Sequence, residues 1–89
     1  MKAVVTVVGK DRVGIIAAVC VHLASFNVNV LDISQTVMQG YFTMMMIVDV
    51  SASNVPLAEL AKHMEEKGKE MNLSIRLQRE DIFEAMHNV

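Results

Sequence analysis

An unbroken β-branched run, Val4-Val5-Thr6-Val7-Val8, gives way after only six residues to an apolar stretch of helical period from Ile15 to Phe26. Few architectures accept that juxtaposition. The first segment reads as a buried strand and the second as a helix laid on a sheet. The link, Gly9-Lys10-Asp11-Arg12-Val13-Gly14, is then a strand-to-helix turn punctuated by two glycines. Gly9 would permit a sharp exit from the strand, and Gly14 would let a group approach the first helical turn closely. Helix N-termini carry unpaired N–H groups and a partial positive charge, so such a turn can cradle an anion or a carboxylate. Asp11 stands where an N-cap is wanted, able to accept from the N–H of Val13 or Gly14, and this structural role ranks ahead of a catalytic one.

The remaining pattern fixes the order of elements. Strand one covers about Lys2 to Val8, with Ala3, Val5 and Val7 on one face and Val4, Thr6 and Val8 on the other. A helix from about Val13 to Phe26 presents Ile16, Val19, Cys20, Leu23 and Phe26 as one stripe. Asn27-Val28-Asn29 turns into strand two, about Val30 to Gln39, and Gly40 marks a hairpin into strand three, Tyr41 to Val50. There Phe42, Met44, Met46, Val48 and Val50 share a face. Pro56 suits the first turn of a second helix, with Leu57, Leu60, Ala61, Met64 and Met71 on its apolar side. Leu73 to Gln78 alternates as strand four, and Arg79 to His87 reads as a short terminal helix with Ile82, Phe83 and Met86 on one side. Two β-α-β units joined by a hairpin with right-handed crossovers predict an α+β ferredoxin-like βαββαβ sandwich. Its four-stranded antiparallel sheet carries both main helices on one face. The expected division is a domain over 1–79 and a helical tail over 80–89.

Catalytic and metal chemistry find little support. The three histidines fall on three different helices, and a single cysteine, Cys20, lies on a helix stripe where packing is its natural role. No ligand spacing for a metal arises, and Met44-Met45-Met46 cannot converge on one ion because strand neighbours face opposite ways. The loop from Gly9 to Gly14 lacks the glycine density and the Lys-Ser/Thr ending of a nucleotide-binding loop. Neither an enzyme nor a cofactor is expected. A net charge of −2 with scattered basic residues argues against direct nucleic-acid binding. No segment reaches the length of a membrane span, no secretory leader is evident, and the lone cysteine excludes an internal disulfide framework. A cytoplasmic setting is the expectation.

The motif Gly9-Lys10-Asp11-Arg12-Val13-Gly14-Ile15, followed by Asn29-Val30-Leu31-Asp32-Ile33-Ser34-Gln35, resembles the ACT domain. That small regulatory module is attached to many enzymes and regulators of amino-acid metabolism. The likeness is strongest to stand-alone bacterial and archaeal ACT-domain proteins, and extends to the tandem-ACT regulators of the glycine cleavage system. It implies a non-catalytic module that senses a small metabolite, an amino acid, and acts through oligomerisation. In amino-acid-binding members the ligand sits between the first β-α turn and the start of strand two, often at a dimer interface. By that resemblance Gly9, Lys10, Asp11, Arg12, Val13, Gly14, Ile15 and Asn29 would line the site. Two positions depart from the family pattern: Val13 stands where proline is common, and Gly9 where some members place a polar side chain.

Assembly follows independently from the sheet. Val4, Val8, Met45 and Ile47 fall on the face away from the helices, too apolar to leave wet in a domain this small. A homodimer or higher homo-oligomer is therefore expected, face to face; the resemblance to ACT domains implies a competing geometry, side by side through the helix edge and strand one. The alternative to a sensor is an oligomerisation or protein-interaction module without a ligand. Neither the ligand nor a regulated partner is named by the residues.

Overall fold

In a computed structural model of the chain, β1 (Lys2–Lys10) is paired on both sides, by β3 (Tyr41–Asp49) and by β4 (Ser74–Arg79). β2 (Asn29–Met38) pairs with the other side of β3, giving an antiparallel sheet in the order β2-β3-β1-β4. The structure describes residues 1–87, with side chains as far as residue 85. Two helices, α1 (Ile15–Ser25) and α2 (Leu57–Glu70), supply the crossovers, and a short α3 (Glu80–His87) ends the described chain. This is the expected ferredoxin-like sandwich. Strand alternation explains it: Ala3, Val5, Val7, Met44, Met46 and Val48 are all fully buried beneath the helices.

The hairpin between β2 and β3 turns on Gln39 (φ 49°) and Gly40 (φ 81°). Two consecutive left-handed residues make a type I′ turn, whose twist matches the strands it joins. Asn27 (φ 62°) and Asn72 (φ 56°) leave α1 and α2 in the same conformation, and the Asn27 amide donates to the Ala52 carbonyl at 2.9 Å. Near that end Phe26 stacks on His63 at a ring separation of 4.8 Å and meets His22 edge-on at 5.3 Å. These rings join α1 to α2.

Several local expectations are corrected. α1 begins at Ile15 rather than Val13, and its buried stripe is Ile15, Val19 and Leu23, with Ile16, Cys20 and Phe26 half-buried at its flank. The N-cap is Gly14 at φ 92°, with no side-chain cap, so Asp11 does not hold the position proposed for it. Gly9 also acts differently. It lies inside β1 opposite Phe42, and a Cβ there would collide with the Leu73 side chain. It permits close packing rather than a sharp exit. Pro56 is the residue before α2, extended at ψ 154°, rather than part of the first turn.

The face away from α1 and α2 is less bare than the sequence suggests. α3 packs on β1 and β4, and Val4 on that face is only 2% exposed. Ile47 is half-buried, while Val8 and Met45 remain exposed. Within the tail, Phe83 is half-buried and Ile82 is 44% exposed; the Met86 side chain lies outside the described residues.

Two substitutions test this packing. Gly68 sits where α2 crosses β4, and a Cβ would lie 2.7 Å from the Leu73 carbonyl oxygen. Gly68→Ala should therefore destabilise by roughly 1–3 kcal/mol through overpacking, despite the better helix propensity of alanine. Urea unfolding reads the sign directly. Phe83→Ala should cost about 1–2 kcal/mol in the same assay, below the ~3–5 kcal/mol of a fully buried ring, because Phe83 is half-exposed.

Candidate functional site

The hairpin register brings the site together. Gly9 of β1 lies opposite Phe42, and Phe42 lies opposite Val37, so the end of β2 runs beside the exit of β1. The Asp11 N–H donates to the Gly40 carbonyl at 2.8 Å and ties the β1-α1 loop to the hairpin tip. The chain then turns through exposed Arg12 and Val13 into Gly14, whose carbonyl accepts the first helical bond, from Ala18 N–H at 2.9 Å. In this geometry the N–H groups of Ile15, Ile16 and Ala17 have no intrahelical acceptor, and they point along the positive end of the helix dipole.

Beside that first turn is an open cleft of about 510 Å³. One wall is Asp11, Arg12, Gly14, Ile15, Ile16 and Ala17; the other is Gln35, Thr36 and Val37 of β2, with Phe42 beneath. It stays open because β2 is little covered: its ten residues are exposed apart from half-buried Val30. Among the described residues Lys10, Asp11 and Arg12 form no ion pair, so the charges at the mouth are uncommitted. Asp11 is the sole carboxylate lining the cleft, and no histidine, cysteine or serine joins it. That set can hold an anion or a zwitterion. It offers no nucleophile–base pair.

Of the expected residues, Asp11, Arg12, Gly14 and Ile15 line the cleft, while Gly9, Lys10 and Val13 adjoin it without lining it. Asn29 is elsewhere. It pairs with Asp49, which in turn pairs with Lys2, so it sits at the far end of the sheet from Lys10. Eight residues of strand separate the two levels, about 26 Å. Within one chain no small molecule touches both. Gln35, Thr36 and Val37 were not anticipated. Their signal was nevertheless present: a two-residue turn at Gln39–Gly40 sets Val37 opposite Phe42 by counting alone.

The sequence profile of the ACT domain matches residues 2–78. The chain belongs to the ACT domain family. ACT domains are generally regulatory ligand-binding modules. A UPF0237 protein of Clostridium acetobutylicum is 52% identical over the full length of both chains. Another from Methanocaldococcus jannaschii is 46% identical over 99% of this chain and 98% of its own. In three dimensions the fold is similar to an ACT domain protein from Streptococcus pneumoniae (TM-score 0.82, 44% identity, 94% of each chain). A putative glycine cleavage system transcriptional repressor shares the fold at a TM-score of 0.73 and 23% identity, over 86% of this chain and 44% of that one.

At the far end of this ACT domain, opposite Asn29, the Asp49 carboxylate accepts from the Ser51 N–H at 2.9 Å and lies 3.6 Å from the N-terminal ammonium. Hydrogen bonds from Ser51 hold it below the usual carboxylate range, and the ammonium adds to the effect. A folded-state pKa below the unfolded one favours the native state above the unfolded pKa, and the contribution fades as pH falls through the folded value. Ser51→Ala should raise the Asp49 midpoint in an NMR titration. An unmoved midpoint would assign the depression to the Ser51 N–H and the ammonium, both of which the variant keeps.

Proposed function

We propose that this ACT domain is a non-catalytic regulatory module that senses an amino acid, at a site completed when two copies of the chain pair through β2. One observation carries the reading: the cleft at the first turn of α1 opens onto the free edge of β2, and Asn29 stands at that strand's other end. Antiparallel pairing of two β2 edges carries Asn29 of each copy toward Val37 and Met38 of the other, beside the β1-α1 loop. The carboxylate of the ligand then rests on the N–H groups of the first helical turn, with Arg12 nearby. Asn29 of the second copy, together with Asp11, addresses the ammonium.

Side-by-side pairing cannot use β1, as the family resemblance implied, because β1 is bonded on both sides. The flank formed by β2 and α1 is suited to the task. β2 has one charged residue, Asp32, and no proline, and an edge of that kind invites another strand. Leu31 and Val37 on β2 and Val21 on α1 are exposed along the same flank. These features also favour a second reading, a pure oligomerisation module with no ligand.

Light scattering and calorimetry separate the two. The wild type should be a dimer at tens of micromolar, a rough working concentration for a modest interface, and should bind an amino acid. The pair Leu31→Lys and Ile33→Lys, which places charge on the edge, should give a monomer and abolish binding. Asn29→Ala and Arg12→Glu should each weaken binding, by roughly 1–3 kcal/mol for the asparagine. Mixing the last two variants should restore a fraction of the sites, since one site of each mixed dimer is intact. A monomeric variant that binds at wild-type affinity would exclude the shared site. A dimer that gives no heat with any amino acid supports the oligomerisation reading.

A further inference from the structure

The cleft is asymmetric, and the asymmetry bears on which amino acid it takes. Its charges, Asp11 and Arg12, stand at the loop end beside the first turn of α1. Beyond them the surface turns apolar: Ile16 from α1 faces Val37 from β2 across a floor of Phe42 and Ile15, which are 4% and 2% exposed. Val37 itself is 54% exposed. By register Val37 and Gln35 share the helix-side face with Phe42 and Met44, and the Thr36 side chain points to the opposite face of the sheet. Gln35 is therefore the sole polar side chain that β2 contributes to this side of the cleft, one pleat repeat (about 7 Å) beyond Val37.

Resting on the amino-acid reading above, we infer that the ligand's side chain is apolar and packs on Val37 and Ile16, so that these two residues set the selectivity. A backbone carboxylate held at the first turn directs the side chain away from Arg12 and over this surface. A charged or hydroxylated side chain packed on Val37 and Ile16 is stripped of water short of Gln35, the one polar side chain β2 offers there, which costs affinity, whereas an apolar one gains from the same desolvation. Closure by a second copy at β2 strengthens the effect by excluding water from Val37. The discrimination comes from desolvation, not from shape. Leucine and phenylalanine should both bind better than serine, aspartate or lysine.

The test is calorimetry on the assembled protein with leucine, phenylalanine, serine, aspartate, lysine and glutamine. Leucine or phenylalanine should bind at least about tenfold tighter than any polar amino acid, the scale on which a pocket discriminates by apolar contact. Val37→Ser and Ile16→Ser should each reduce that preference severalfold while light scattering still shows the wild-type assembly. Using two variants on different elements guards against one of them disturbing β2 pairing. Tightest binding of serine, aspartate, lysine or glutamine overturns this inference and leaves amino-acid sensing standing. An apolar preference unchanged in both variants also overturns it. Absence of heat with all six overturns this inference, and absence with every other amino acid as well removes the sensing reading itself.

Discussion

The double pairing of β1 is the constraint on which the rest depends. Its backbone groups are bonded to β3 on one side and β4 on the other, so its β-branched run is committed to the interior of the sheet. Its run is apolar on both faces, and cover is found on both, although Val8 stays exposed. α1 and α2 cover Ala3, Val5 and Val7, and α3 covers Val4 from below. The same commitment leaves β2 and β4 as the two edges, with α1 on the β2 flank and α2 on the β4 flank. Any lateral partner of this domain must therefore meet one of those flanks.

The two flanks are not equivalent. α2 is amphipathic, with Lys62, Glu65, Glu66 and Lys69 exposed, a face made for water. α1 contains no acidic residue, lysine or arginine in its eleven positions, and Ala17, Val21 and Ala24 lie exposed on its outer side. A helix apolar all round belongs in an interior. Beside it the β2 edge carries unpaired backbone groups with one charge to discourage a neighbour. Both features ask for cover on the same side, and this makes the β2 flank the stronger place for a second copy than the face partly occupied by α3.

The fold was legible because each strand had a period-two pattern and each turn its own chemistry. Phe42, Met44, Met46 and Val48 are buried as their alternation required, and Gln39–Gly40 turns where glycine allowed it. What could not be read was tertiary. A glycine at φ 92° and a glycine inside a strand look alike in one dimension, so Gly14 passed for an ordinary helical residue and Gly9 for a turn. The Leu31 bulge shifts the alternation of β2 between Val30 and Asp32, and its effect shows only against the Val48–Ile47 register of β3. Four of the eight expected residues, Asp11, Arg12, Gly14 and Ile15, line one cleft, because the loop is local in sequence. Asn29 was joined to it by resemblance, and the distance between the two is a property of the sheet.

That distance bears on how sensing and assembly can be linked. A helix N-terminus alone contributes about 0.3–1 kcal/mol toward an anion, and about 2 in favourable geometry. Millimolar affinity already needs about 4 kcal/mol. The helix end of a single chain, open to solvent and about 26 Å from Asn29, falls short of that by itself. In the proposed shared site the remaining affinity comes from groups that a second chain brings and from the water it removes. Under the shared-site reading the ligand contacts the pair and not the single chain, so it stabilises the paired state by mass action. The converse holds with the same free energy: whatever strengthens pairing tightens binding. A domain built this way needs no internal conformational change to act as a switch. Its output is the population of pairs, set by metabolite and chain concentration together.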